Sequence, residues 1–360
     1  MNRPLSPCSP IGLDLGTRAI KAAQVTGRGR RLRLRAAAVL PRLETGGVPG
    51  EEELARLIRV LDRRGFVGRR VVAAVPGERL FTTVLELPPA GSGAPRMQIV
   101  RGEMARAHRQ SEDALEVAAW DLPQGGGQSG QAAKTLAVAC SHDDARPLLT
   151  ALESAGLSVC ALDIPPWAVL RACRRFADRP GQLYAAVDLG WRAATLVLMI
   201  DHVVLYHRTL GGFGGEGLVS AIRREGDLPP ELIPALLRRI GLCGEEKLDP
   251  RDRPLAMRLR GPLQDYTEAL AQELALSLDY ALQQYPRSDV QMLMLLGGGA
   301  GVPGLAEGLY ELLDLEVEPL AAADVLSCPA SLNCERLGGE LTQAIGLALC
   351  PPGLGRRCAA

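Results

Sequence analysis

Asp14, Gly16, Thr17 and Lys21 place a carboxylate, a residue without a Cβ, a hydroxyl and an ammonium within eight residues. Together they suit a phosphate. Backbone N–H groups can turn inward at a glycine, the carboxylate can hold magnesium through its water shell, and the hydroxyl and ammonium close the cradle. Asp188, Gly190 and Thr195 supply a second, shorter set, and Asp14-Leu15-Gly16-Thr17-Arg18-Ala19 is echoed by Asp188-Leu189-Gly190-Trp191-Arg192-Ala193. Each set also suits a plain tight β-turn with a turn-favouring Asp. Two such turns facing each other would clamp the β- and γ-phosphates of ATP.

A third glycine run, Gly297-Gly298-Gly299-Ala300-Gly301-Val302-Pro303-Gly304, follows the apolar stretch Met292–Leu296 and precedes the helix-like Leu305–Leu313. Strand, glycine turn and helix N-terminus make a natural seat for a ribose or phosphate. The run contains G-x-G-x-x-G, and Glu316 or Glu318 lies near the distance of a ribose-binding acid. Only 56 residues follow Gly304, too few for the repeated halves of a dinucleotide-binding domain.

These turns need strands to hold them. Ile11–Leu15 and Ala19–Val25 read as the strands on either side of Gly16, and Arg31–Arg35 alternates with period two, as a half-buried strand does. Pro41–Gly50 is a loop, and Glu51–Arg64 has helical spacing, with acids in its first turn and arginines in its last. Mixed α and β elements follow: Val71–Val75, Thr82–Leu87, a helix over Met97–His108, then Leu115–Leu122 and Lys134–Cys140 around the glycine-rich hairpin tip Gly125–Gly130. A helix over Asp143–Ala155 ends at Gly156. Beyond Leu157–Leu162 and a helix over Pro166–Phe176, the repeat begins again, continuing through Val203–Leu210 and helices over Gly217–Arg224, Pro230–Ile240 and Leu263–Gln284.

Composition narrows the classes. Forty-one Lys+Arg balance forty-one Asp+Glu, so the whole surface attracts neither nucleic acid nor an anionic membrane. Only Lys21, Lys134 and Lys247 are lysines. The longest apolar candidate, Ala193–Tyr206, is broken by Asp201 and His202 and is too short to span a bilayer. Met1–Pro10 lacks the apolar stretch of a signal peptide. Nine cysteines without a C-x-x-C pair are expected as reduced, largely buried thiols of a cytosolic protein, with Cys328 and Cys334 poorly spaced for a metal knuckle. His202 and His207, read as one strand, point to opposite faces. Trp120 and Trp167 read as packing anchors.

Asp-Leu-Gly-Thr…Lys, Asp-Leu-Gly…Thr and Leu-Leu-Gly-Gly-Gly-Ala…Pro-Gly-Leu resemble the two phosphate motifs and the adenosine motif of the actin-like ATPase superfamily. Within it the chain resembles the PilM family of type IV pilus assembly, through Val71–Gly77, Ala155-Gly156-Leu157 before Leu162-Asp163-Ile164, and Arg208–Gly212. The resemblance implies an α/β, actin-like ATPase fold with two ribonuclease-H-like lobes and a small inserted α+β subdomain. Residues 1–45 and 149–180 would form lobe I, 46–148 the inserted subdomain and 181–350 lobe II. It carries Asp14, Gly16, Thr17 and Lys21 over as the first phosphate site, Asp188, Gly190 and Thr195 as the second, and Gly297, Gly298 and Gly299 as the adenosine turn. Asp14 and Asp188 would hold Mg2+ through water.

By the same resemblance the chain is a cytosolic ATP-binding adaptor of pilus biogenesis. It would dock on the N-terminal cytosolic peptide of a PilN-like inner-membrane protein, in a groove beside the inserted subdomain. Other pilus-platform components are further partners, and the chain sits at the cytosolic face of the inner membrane without inserting. Hydrolysis is expected to be slow, a weak ATPase at most, and no residue stands out to position the attacking water. Three alternatives remain: an FtsA-like division protein, a nucleotide-free scaffold suggested by Trp191 beside the second turn, and a small-molecule kinase with Asp163 or Asp201 as base. The segment Cys350–Gly355 suits no amphipathic membrane anchor, which weighs against the first.

Overall fold

The structure, a computed structural model, describes residues 8–351 apart from residues 90, 124–132, 227, 245, 247, 287, 330–331 and 333–336. Gly125–Gly130, Lys247, Cys334 and the tail from Pro352 lie outside the described residues. The chain divides into two compact units, Met1–Ala172 with His202–Tyr206 and Gln343–Ala360, and Cys173–Asp201 with His207–Thr342.

The first unit begins with β1 (Ile11–Leu15), β2 (Ala19–Thr26), β3 (Arg33–Pro41), α1 (Glu51–Arg63) and β4 (Arg70–Ala74). It continues with β5 (Leu80–Leu87), α2 (Arg96–His108), β6 (Leu115–Asp121), β7 (Ala133–Ser141), α3 (His142–Ser154), β8 (Ser158–Asp163) and α4 (Pro165–Cys173). Five strands form one sheet in the order β3-β2-β1-β4-β8, with β1–β2 and β2–β3 antiparallel and the other two pairings parallel. Ile11, Leu13, Ile20, Leu57, Leu61, Val71 and Leu152 gather between the sheet, α1 and α3 in its main core. The remaining strands make an antiparallel sheet, β5-β7-β6. Helix α2 lays Val100, Met104 and Ala105 on Leu87, Leu115, Val117, Ala137 and Ala139.

Arg33 and Arg35 are exposed on either side of buried Leu34, as the alternation predicts. The strand starts two residues later than expected, because Gly29–Arg31 is a 3-10 turn, and it runs on to Pro41. Trp120 and Trp167 meet edge to face at 4.8 Å, and Trp120 donates its indole N–H to the Val204 carbonyl at 3.0 Å.

The second unit repeats the five-stranded plan. Its sheet has the strands β9 (Leu183–Leu189), β10 (Ala193–Ile200), β11 (Val203–Gly211, whose residues up to Tyr206 count with the first unit), β12 (Val290–Leu296) and β13 (Val317–Pro319), in the order β11-β10-β9-β12-β13. β9 pairs antiparallel with β10 and parallel with β12, and β12 pairs parallel with β13. Five helices accompany them: α5 (Gly215–Gly226), α6 (Ile233–Arg239), α7 (Arg253–Gln284), α8 (Leu305–Leu313) and α9 (Ala322–Val325).

Two readings need correction. Helix α7 starts ten residues before the predicted Leu263 and carries Pro262 inside it. Ala256, Leu259, Leu263, Leu270 and Leu274 continue one buried stripe through the proline, and that burial offsets the lost backbone bond. His202 is not in a strand. It follows Asp201 in a turn, both with left-handed backbone (φ 64° and 46°), so the two-face argument for His202 and His207 does not apply. No described helix is long and apolar enough to cross a membrane.

Candidate functional site

The β1–β2 register builds the first turn. Leu15 faces Ile20 and Asp14 faces Lys21, which leaves Gly16, Thr17, Arg18 and Ala19 between the paired residues, Ala19 already opening β2. Residues directly opposite on an antiparallel pair share a face and stand close. The register therefore brings the Asp14 carboxylate to the Lys21 ammonium, Oδ2 to Nζ, at 2.7 Å. Both side chains are largely shielded from water, at 10% and 20% exposure, which strengthens a charge-assisted bond. Lys21 Nζ lies 2.9 Å from where a Cβ on Gly16 would stand, so the ammonium occupies the space that glycine leaves open.

The loop between β3 and α1 holds this turn from one side. Arg42 Nη1 donates to the Gly16 carbonyl at 3.3 Å, the Gly46 N–H to the Thr17 carbonyl at 3.0 Å, and the Arg42 N–H to the Arg18 carbonyl at 2.8 Å. Arg42 Nε donates to Glu53 Oε1 at 2.8 Å, and the Leu43 N–H donates to the same oxygen at 2.9 Å. Sequence reasoning passed over both residues. Glu53 read as one of three acids in the first turn of α1, and no spacing marks a pair eleven residues apart across an irregular loop.

The β9–β10 register builds the second turn in the same way. Thr195 faces Asp188 and Ala194 faces Leu189. Thr195 thus holds the register position that Lys21 holds in the first hairpin, so a hydroxyl stands where the first turn has an ammonium. Gly190 takes part in the connection, its N–H donating to the Ala193 carbonyl at 3.2 Å. Two contacts tie this turn to α5: the Gly215 N–H donates to the Gly190 carbonyl at 3.0 Å and the Glu216 N–H to the Trp191 carbonyl at 2.8 Å. The turn thereby caps the N-terminus of α5. The Trp191 indole packs over Gly215, where an added Cβ would lie 2.9 Å from its ring.

The third glycine run closes against the second turn. At the end of β12, Gly297 has φ of 79°, and a Cβ there would stand 2.2 Å from Asp188 Oδ1 and 2.7 Å from the Leu189 carbonyl. The Gly299 N–H donates to that carbonyl at 3.1 Å, and the Gly297 N–H donates to the Gly339 carbonyl at 3.0 Å. Gly298 has open space beside it. The segment after α6 reaches the far end of the run, where the Leu242 N–H donates to the Pro303 carbonyl at 2.7 Å. Pro234 sits in the first turn of α6, where its missing N–H costs nothing.

Asp14, Gly16, Thr17 and Lys21 therefore come together in the first unit. Asp188, Gly190, Thr195, Gly297, Gly298 and Gly299 come together in the second. One or two carboxylates beside a glycine turn are a donor set suited to Mg2+ held jointly with phosphate oxygens. Asp163 and Asp201, considered as bases for a kinase, both have structural work. Asp163 pairs with Arg171 and accepts from the Ile164 N–H at 2.8 Å, while Asp201 accepts from the Gly181 N–H at 2.8 Å.

The family model described as "Type IV pilus assembly protein PilM" matches residues 12–350. Among solved structures, one described as a "PilM-PilN type IV pilus biogenesis complex" is similar at 26% identity and a TM-score of 0.77, covering 95% of this chain and 98% of that one. The ethanolamine utilization protein EutJ from Carboxydothermus hydrogenoformans is similar at 15% identity and a TM-score of 0.55, over 97% and 92% of the two chains. MreB 5 of Spiroplasma citri, solved bound to AMPPNP, is similar at 12% identity and a TM-score of 0.53, over 97% of each chain.

Proposed function

The chain belongs to the type IV pilus assembly protein PilM family, and from that premise we propose that it is a nucleotide-binding adaptor that docks the N-terminal peptide of a PilN-like inner-membrane protein. The observation that carries the partner is the likeness, over nearly the whole chain, to a protein solved in complex with PilN. Through that partner the adaptor sits at the cytosolic face of the inner membrane. Family membership favours this reading over a division protein, a small-molecule kinase or an empty scaffold.

The nucleotide is ATP in this reading. Asp14, Gly16, Thr17 and Lys21 hold phosphate in the first unit, with the ammonium opposing phosphate charge. Asp188, Gly190 and Thr195 hold phosphate in the second, and Gly297, Gly298 and Gly299 form the adenosine turn, where Gly297 and Gly299 let the run close on Asp188 and Leu189 and Gly298 leaves space open beside it. Asp14 and Asp188 are the residues that would hold Mg2+, and the ion would supply neutralisation of phosphate charge when bound. Nucleotide acts by favouring the peptide-binding conformation, with differential affinity setting the size of the effect.

Calorimetry tests both halves of the proposal. A synthetic N-terminal peptide of the PilN-like protein is expected to bind saturably, and ATP with magnesium to bind the unsubstituted protein but not Asp14→Ala. Peptide binding without ATP binding would leave a scaffold. Absence of peptide binding under all nucleotide conditions would refute the adaptor reading.

A further inference from the structure

We infer that Arg42 and Glu53 are positioning residues for the first phosphate turn, a buried ionic clamp that sets nucleotide affinity without touching nucleotide. The inference rests on the nucleotide reading proposed above. The two side chains are 1% and 4% exposed, and charges so deeply buried are retained only when paired and fully bonded. Here the bonding runs to one place. The Arg42 fork spends its Nε on Glu53, one terminal nitrogen on the Gly16 and Gly47 carbonyls at 3.3 Å each, and the other on Gly46 at 2.9 Å and Gly47 at 3.3 Å. Glu53, fixed in the first turn of α1, holds both the guanidinium and the Leu43 N–H. The helix thereby anchors the loop, and the loop anchors the turn.

The direction of those bonds is what matters for an anion. The carbonyls of Gly16, Thr17 and Arg18 all accept from the Arg42–Gly46 segment. In a planar trans peptide the next residue's N–H points opposite to the carbonyl, and the chain has no cis bond among its described residues. Drawing the Gly16 and Thr17 carbonyls toward Arg42 therefore turns the Thr17 and Arg18 N–H groups to the other side of the turn. Successive N–H groups aimed one way are what an anion-binding nest requires. A turn free to flip its peptides would have to order them on each binding event and would bind more weakly for it. Arginine suits this task and lysine does not. Only a planar fork with five donors reaches a carboxylate and three carbonyls at once.

Arg42→Lys keeps the charge beside Glu53 and removes the fork. By analogy with residues that orient a metal ligand from behind, it is expected to weaken ATP–Mg2+ binding about tenfold or more. Affinity for the PilN-like N-terminal peptide without nucleotide should stay within about twofold, and amide exchange at Thr17 and Arg18 should quicken in the nucleotide-free protein. Glu53→Gln, which keeps an acceptor for Arg42 and Leu43, serves as the second variant and should show a smaller change in the same direction. Unchanged ATP affinity and unchanged exchange in Arg42→Lys, with ATP binding lost in Asp14→Ala, would overturn the clamp and leave the nucleotide reading standing. Failure of the unsubstituted protein to bind ATP would overturn the nucleotide reading and the clamp together. If Arg42→Lys does not fold, the same two measurements on Glu53→Gln decide, and no change in either would overturn the clamp.

Discussion

At the scale of single residues, Gly297 shows how tightly the second half of the site is specified. An alanine there would place its Cβ 2.2 Å from Asp188 Oδ1 and would hold a left-handed backbone at φ 79°. Relief requires the carboxylate to move, and the backbone strain alone costs on the order of 1–3 kcal/mol. Gly297→Ala is therefore expected to lower stability by about that amount in urea unfolding and to abolish ATP binding. Gly298→Ala, one residue away with open space beside it, should be near neutral in urea unfolding, while its added methyl weakens ATP binding at the adenosine turn. Equal losses of stability at the two positions would show that Asp188 is not held as described. The sequence marked both glycines as members of one run. What separates them is a carboxylate 109 residues earlier in the chain, which no local pattern reveals.

At the scale of elements, the pieces most legible in the sequence are those with strong periodicity or a clear stop. Helix α1 ends one residue before the predicted position, and α3 stops just before Gly156, which adopts a left-handed φ of 79° there. The short pieces β13 and α9, and a last helix over Thr342–Ala348, carry too little pattern to read and were not anticipated. Nor was the junction of α5 with the second turn. There Gly214 leaves no room, since a Cβ would meet the Trp191 carbonyl at 2.3 Å and the Ala193 nitrogen at 2.5 Å, both backbone atoms. Gly214→Ala must pry α5 from the turn that caps it, at about 1–3 kcal/mol by the cost of overpacking. Gly211→Ala, with nothing nearby, is the control. A melting temperature equal to that of the unsubstituted protein would contradict the junction.

At the scale of the whole molecule, stability depends on groups outside the residues assigned to either turn. Burial pushes the imidazole of His207 on β11 below its ordinary range. The unfolded chain then takes up a proton near pH 6.5 that the folded chain refuses, so the stability contributed by keeping His207 neutral is present above pH 6.5 and lost as pH falls below it. Between pH 7 and pH 5 the melting temperature of the unsubstituted protein should fall more steeply than that of His207→Gln; parallel curves would remove His207 as a cause. The sequence by itself determined the existence of three glycine turns, the strands that bear them, and a short motif repeated 174 residues apart. The repeat recurs in the fold as two five-stranded sheets of like order, with Asp14 opposite Lys21 and Asp188 opposite Thr195. Local pattern suffices there because a hairpin's register follows from its turn and its alternation. Only the tertiary structure decided that Glu53 and Arg42 brace one turn, that Asp188 stands over Gly297, and that α5 begins on the carbonyls of Gly190 and Trp191. Those pairings join segments distant in sequence, and their strength comes from burial, which exists only once the chain has closed around them.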